Sequence, residues 1–144
     1  MAPSFVPWSE VQVDVILSRH AHREGALLPI LHEIQASFGH VPAAVVPMIA
    51  MALNLSRAEV HGVVSFYHDF RTTAPMRPVV KLCRAEACQA RGVDALASSH
   101  PGVDVEAVYC LGLCASGPAA MVSGVVYARL DVDGFDRLLD ETAA

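Results

Sequence analysis

The chain has four cysteines, and they fall as two pairs, Cys83-x4-Cys88 and Cys110-x3-Cys114, separated by an interval long enough for a helix and a strand. This arrangement constrains the chain more than any other feature. Thiolates are soft ligands, and four of them paired at loop spacing suit either zinc or an iron–sulfur cluster. Zinc ribbons favour C-x2-C knuckles, in which the two intervening residues close tightly on one small ion. Wider gaps describe loops able to wrap a larger two-iron cluster. The leading reading of Cys83, Cys88, Cys110 and Cys114 is therefore a [2Fe–2S] centre, with zinc as the alternative. A thioredoxin-type redox site would show C-x-x-C, and Rieske-type ligation would place histidines in the cysteine loops; the sequence has neither.

The residues before the first cysteine pair read as helical. Ser9 with Gln12 offers a capping box for a helix to about His20, with Trp8, Val11, Val15 and Arg19 along one face. Leu27, Leu31, Ile34 and Phe38 recur at helical spacing, with Pro29 in the first turn and Gly39 placed as a C-cap. A third helix is expected over residues 43–53, with Pro47 early in it, and Ser56-x-x-Glu59 opens a fourth from Arg57 that ends before Tyr67.

From Pro75 the period changes. Residues 79–82 read as a strand running into Cys83, residues 87–98 as a helix, and residues 103–108 as a strand running towards Cys110. Two short strands flank the turn dipeptide Ser123-Gly124, and Asp131 or Asp133 caps a last helix through Leu139. The expected fold class is α+β: a helical bundle over residues 1–73, then an α/β domain over residues 74–144 in the order β-α-β-β-β-α. Both cysteine pairs then sit on loops just past strand ends, where ligand sites usually lie in open α/β sheets. Phe66, Tyr67 and Phe70 read as packing between the two halves, and the Gly117–Pro118 bond is expected trans on base rates.

Composition limits the function classes. A chain of 144 residues can bury a real core as one ordinary domain or two small ones. Its apolar fraction is 53% and its charged fraction only 17%, against a typical ~25% charged, which points to a surface covered by a partner. The net charge is −5 and no Lys/Arg run interleaves with aromatics, which argues against nucleic acid. The first residues lack a basic-then-apolar leader and no window approaches ~18 apolar residues, so a cytoplasmic chain without membrane insertion is expected. The seven histidines show no zinc-site spacing. Gly112 and Gly117 have a P-loop interval, but Pro118-Ala119 stands where Lys-Ser/Thr is required, and G-x-G-x-x-G is absent. No residue is nominated as catalytic, and the chain alone is expected to carry electrons without substrate chemistry.

Cys83-x4-Cys88, Cys110-Leu-Gly-Leu-Cys114 and Gly117-Pro118, preceded by Gly39-His-Val-Pro42 and Ser65-Phe-Tyr67, resemble the NuoE-type thioredoxin-like [2Fe–2S] subunits of respiratory complex I and related NAD-linked enzymes. Within that family, residues 55–71 and 83–89 are most similar to the gamma subunits of NAD-dependent, molybdenum-containing formate dehydrogenases. The resemblance implies a thioredoxin-like second domain and a cluster with Cys83 and Cys88 on one iron and Cys110 and Cys114 on the other. It also implies partners: a diaphorase subunit binding FMN and NAD, against which the helical half is expected to pack, further Fe–S clusters, and a large subunit carrying the molybdenum cofactor. NADH:quinone oxidoreductase and NAD-linked hydrogenase are the alternative assemblies. One departure is visible. Complex I members usually have small or hydroxyl residues in the first cysteine loop, where this chain has Arg84, Ala85, Glu86 and Ala87.

Overall fold

The computed structural model describes residues 5–97 and 99–144. The chain divides into two compact units, one ending at Pro75 and the other running from Met76 to Ala144.

The first unit is helical. Helix α1 (Glu10–His20) starts where Ser9 Oγ accepts the Gln12 N–H, as the cap signal indicates. Its core face differs from the expected one. Val13, Ile16 and Leu17 are buried, whereas Trp8, Val11 and Val15 are exposed. The helix carries apolar residues on two faces, and packing against α2, not the pattern itself, selects which one turns inward. Helix α2 (Leu27–Phe38) buries Ile30, Leu31, Ile34 and Phe38 and ends at Gly39, whose left-handed backbone (φ 76°) closes the last turn. Helix α3 (Val45–Leu53) tolerates Pro47 because it sits in the first turn, where the missing N–H has no intrahelical partner. Helix α4 (Arg57–Phe66) opens with the complete Ser56–Glu59 capping box. Phe70 is buried in this unit's own core and meets the His32 ring at 5.0 Å, while Phe66 and Tyr67 are exposed. Phe70 therefore completes the helical core.

The second unit is a four-stranded sheet in the order β2-β1-β3-β4. Strand β1 (Val79–Cys83) pairs in parallel with β2 (Asp104–Val108), from Val79 opposite Asp104 to Cys83 opposite Val108. Strand β3 (Ala120–Val122) runs antiparallel to β1, and β4 (Val125–Tyr127) antiparallel to β3. Ser123 and Gly124 both take positive φ (48° and 84°), as a two-residue hairpin turn requires. Helix α5 (Glu86–Ala90) is far shorter than the expected helix over 87–98. Gly92 turns left-handed at φ 88°, only a 3₁₀ turn over Val93–Ala95 follows, and Leu96 is extended. Helix α6 (Val132–Ala143), capped by Asp131 accepting the Gly134 N–H, runs past Leu139 and buries Phe135, Leu138 and Leu139 with Val80 and Leu82. The α+β fold class stands. Among the described residues no helix is long and apolar enough to cross a membrane.

Candidate metal centre

The parallel pairing of β1 and β2 carries both cysteine segments to one end of the sheet. Cys83 is the last residue of β1, and its N–H donates to Ala119 O at 2.9 Å; the Arg84 N–H then donates to Val108 O at 2.7 Å, so sheet-like bonding continues past the strand end. Cys88 lies inside α5 instead of on a loop, where its N–H donates to Ala85 O. Both sulfurs of this first pair are walled by the core: Cys83 is 3% and Cys88 2% exposed.

The second pair is built differently. Cys110 follows β2 with φ 87°, a conformation that non-glycine residues rarely adopt, and Gly112 follows at φ 76°. These two residues curl the backbone so that the Gly112 N–H donates to Cys110 Sγ at 3.4 Å. Cys110 Sγ and Cys114 Sγ lie 3.7 Å apart, Cys114 opens a 3₁₀ turn, and both residues are exposed. The segment after β4 ties the loop down, the Arg129 N–H donating to Ser116 O at 2.7 Å and the Leu130 N–H to Pro118 O. The Gly117–Pro118 peptide is cis, not trans. A side chain at Gly117 would place its Cβ 2.9 Å from Cys88 Sγ, so the absence of one leaves room for that sulfur.

All four thiols communicate. Burial pushes the Cys83 thiol up, but N–H groups of Ala85, Cys110 and Leu111 and the Cys88 side chain more than offset it, and its pKa lies below the ordinary thiol value. Two of those N–H groups, of Cys110 and Leu111, come from the second cysteine loop. Burial raises the Cys88 thiol, helped by the hydrogen bond to Cys83, and charge on Cys114 acts in the same direction. The hydrogen bond and charge of Cys110 raise Cys114. One sulfur is thus surrounded by backbone donors that favour thiolate, and the pairs are near enough to resist holding several uncompensated charges. A bound cation relieves that repulsion.

Among the described residues, no group of three or more His, Cys, Asp and Glu side chains is arranged to hold a metal ion. The thiols come in twos, and a two-iron cluster takes two thiolates per iron. The donor set also fits in kind, being all sulfur with backbone N–H groups directed at it. Three of the histidines engage elsewhere: His20 with Glu33, His100 with Asp140 at 3.2 Å, and His40 with Phe38 O.

Three features at the site escape a reading of spacing alone. Arg84, next to Cys83, is tied to Asp94 at 3.0 Å, and Gln89 Nε2 donates to Arg84 O at 2.9 Å, fixing the first cysteine segment. The Ala85 N–H faces a sulfur, and no side-chain signal marks it. Gly117 stands out in the sequence through a P-loop interval that fails and through a family motif; the clash that its Cβ would make is a fact of tertiary structure.

The family model for "Thioredoxin-like [2Fe-2S] ferredoxin" matches residues 13–143. The chain is 27% identical over 133 residues to the NADP-reducing hydrogenase subunit HndA of Solidesulfovibrio fructosivorans, covering 83% of this chain and 78% of that one. It is 26% identical over 147 residues to an NADH-quinone oxidoreductase subunit of Rhizobium meliloti, covering 92% and 88%. Among solved structures, a chain of an NAD+-reducing [NiFe]-hydrogenase in its H2-reduced state superposes with a TM-score of 0.66 at 27% identity, over 81% of this chain but only 22% of that longer one. The chain belongs to the thioredoxin-like [2Fe–2S] ferredoxin family, in its NuoE-type branch of electron-transfer subunits, and its cofactor is a [2Fe–2S] cluster.

Proposed function

We propose that Cys83 and Cys88 ligate one iron of the cluster and Cys110 and Cys114 the other, and that the chain relays electrons within a cytoplasmic NAD-dependent formate dehydrogenase. The observation that carries the ligand reading is the meeting of two cysteine pairs at the end of two parallel strands, with Cys110 and Cys114 sulfurs 3.7 Å apart and second-loop N–H groups directed at Cys83. One-electron chemistry is what the cluster supplies when bound. The residues of the chain do the rest: Cys83 and Cys88 keep one side of the site dry, backbone N–H groups stabilise negative charge on sulfur, and Cys110 and Cys114 leave the other side accessible.

The formate assignment rests on the likeness of residues 55–71 and 83–89 to formate dehydrogenase gamma subunits. Its partners are an FMN/NAD-binding diaphorase subunit and a large subunit with the molybdenum cofactor and further Fe–S clusters. A second reading, an NADH:quinone oxidoreductase or NAD-linked hydrogenase, is favoured by the names of the relatives. The chain by itself performs no substrate chemistry in either.

Anaerobic purification is expected to give a red-brown protein with two irons and two sulfides per chain and an EPR signal on dithionite reduction. Stoichiometric zinc with neither iron nor sulfide would reject the cluster ligands and make the chain a zinc-stabilised interaction module. Pull-down of the tagged chain, followed by separate assays with formate, hydrogen and quinone, decides between the assemblies. Formate-dependent NAD+ reduction in the recovered complex, and none by the isolated chain, is the expected result.

A further inference from the structure

Gln89 is an exposed residue, yet its side chain folds back over α5 and donates from Nε2 to Arg84 O at 2.9 Å. That oxygen belongs to the peptide joining Arg84 to Ala85, and the N–H of the same peptide is the Ala85 N–H directed at Cys83. A trans peptide unit is planar, with its C=O and N–H pointing in nearly opposite directions. Holding the oxygen at one end therefore decides where the hydrogen points at the other.

The flanking peptides are held by backbone alone. The Arg84 N–H donates to Val108 O at 2.7 Å, and Ala85 O accepts the Cys88 and Gln89 N–H groups at 3.0 Å each. The peptide between them can turn about its two flanking single bonds without breaking either set, so the Gln89 amide is what pins it. The second cysteine loop solves the same problem by other means. Gly112 stands two residues after Cys110, as Ala85 does after Cys83, and its N–H donates to Cys110 Sγ at 3.4 Å. There the positive φ of Cys110 and Gly112 (87° and 76°) shapes the loop, whereas Ala85 has an ordinary φ of −70° and the first loop uses a side chain instead.

An N–H directed at a cluster sulfur favours the reduced, more negative form, and a carbonyl that itself accepts a hydrogen bond makes the N–H of its peptide a stronger donor. We propose that Gln89 is a positioning residue that sets the reduction potential of the cluster, by holding the Arg84–Ala85 peptide with its N–H on Cys83. It acts through that peptide and not through a bond of its own to the cluster. The inference rests on the ligand reading above.

The test is an EPR-monitored redox titration of the cluster-loaded chain at neutral pH. Gln89→Met keeps the length of the side chain and removes the donor. It is expected to shift the one-electron equilibrium against reduction by about three- to tenfold, a fall of about 30–60 mV at about 59 mV per decade, with iron content unchanged. Gln89→Glu has no donor at neutral pH and adds a negative charge, so its potential is expected to fall at least as far. Asp94→Asn cuts the other tie of this segment, the 3.0 Å pair with Arg84, but removes a negative charge and releases a positive one, and is expected to hold or raise the potential. A segment that had merely loosened would not separate the variants in this way. A shift of less than about threefold in Gln89→Met, or a fall in Asp94→Asn matching that in Gln89→Met, would overturn the proposal. If Gln89→Met does not hold iron, Gln89→Glu carries the test, and a wild-type potential there overturns it. Loss of iron from both would make Gln89 a structural tie alone and overturn the proposal as well. Absence of iron from the wild-type chain would overturn the ligand reading instead.

Discussion

The helical unit and the sheet unit solve different problems with different parts of the amino-acid code. In the helical unit the helices are regular, their ends are closed by Ser9, Gly39 and the Ser56–Glu59 box, and among the described residues the only non-glycine one with positive φ is Asn54, a helix C-cap. In the sheet unit Cys110 and Arg129, in and against the second cysteine loop, take positive φ apart from the hairpin residue Ser123, and the elements around the cysteines are five residues or shorter. Strained backbone gathers where a fixed scaffold must present particular atoms. Substitutions in the sheet unit near the cysteines should thus act first on the cluster, and those in the helical unit first on stability.

The strongest attempt to break this contrast is removal of a buried cysteine. Cys83→Ala is expected to reduce iron and sulfide content to below about a tenth of wild type, because at a residue only 3% exposed water replaces a lost ligand poorly. Cys114→Ser, at the exposed pair, is expected to retain part of the cluster with a shifted visible spectrum, since solvent or the new hydroxyl can complete the iron. The helical unit should melt unchanged in both. Equal loss in the two variants would show that exposure does not distinguish the pairs.

Gly117→Ala comes next. Its φ of −67° suits any residue, so a defect can come only from the Cβ placed 2.9 Å from Cys88 Sγ and 3.3 Å from Arg91 Cδ. Displacing the residues behind a ligand commonly costs about tenfold or more in metal affinity. Reconstitution with iron and sulfide should be impaired on that scale, while the circular dichroism of the apo chain stays that of wild type. Full reconstitution would show that Cys88 yields freely.

Gly39→Ala tests the other unit. Here the backbone is the obstacle: φ 76° is left-handed, and a side chain there costs about 1–2 kcal/mol. The Cβ would also lie 2.5 Å from the Phe5 ring, but a ring edge can turn aside, so the backbone cost is the firmer part. Urea denaturation should show that loss, with iron content unchanged.

How much of this was legible in the sequence follows the same division. Capping signals are local, so the starts of α1 and α4 and the end of α2 were readable from Ser9, Ser56 and Gly39. The core face of α1 was not, because Val11 and Val15 are as apolar as Val13, and only the neighbouring helix distinguishes them. In the sheet unit, four cysteines and two strand patterns located the candidate site. The break of the expected helix at Gly92, the place of Cys88 inside α5 and the N–H groups of Ala85, Cys110 and Leu111 depend on contacts across the fold, which periodicity does not encode.

The smallest expected effect sharpens the contrast from the side of pH. The Glu33 carboxylate on α2 accepts from His20 and from Arg19 Nη1 at 2.6 Å on α1, joining two helices. The His20 hydrogen bond holds its pKa below the ordinary 4.5 despite some burial, and Arg19 acts in the same sense. A carboxyl depressed in the folded state contributes stability above its unfolded pKa and loses it as pH falls through the folded value. The helical unit should therefore weaken as pH drops below 4.5. Glu33→Gln should flatten that slope and cost less than about 1 kcal/mol at pH 7, since the pair is partly screened by solvent. Urea midpoints of the apo chain at neutral and acid pH measure both quantities. An unchanged slope in Glu33→Gln would assign the acid sensitivity to another carboxyl, with Glu59, whose pKa is lowered by the Ser56 N–H, the next to replace.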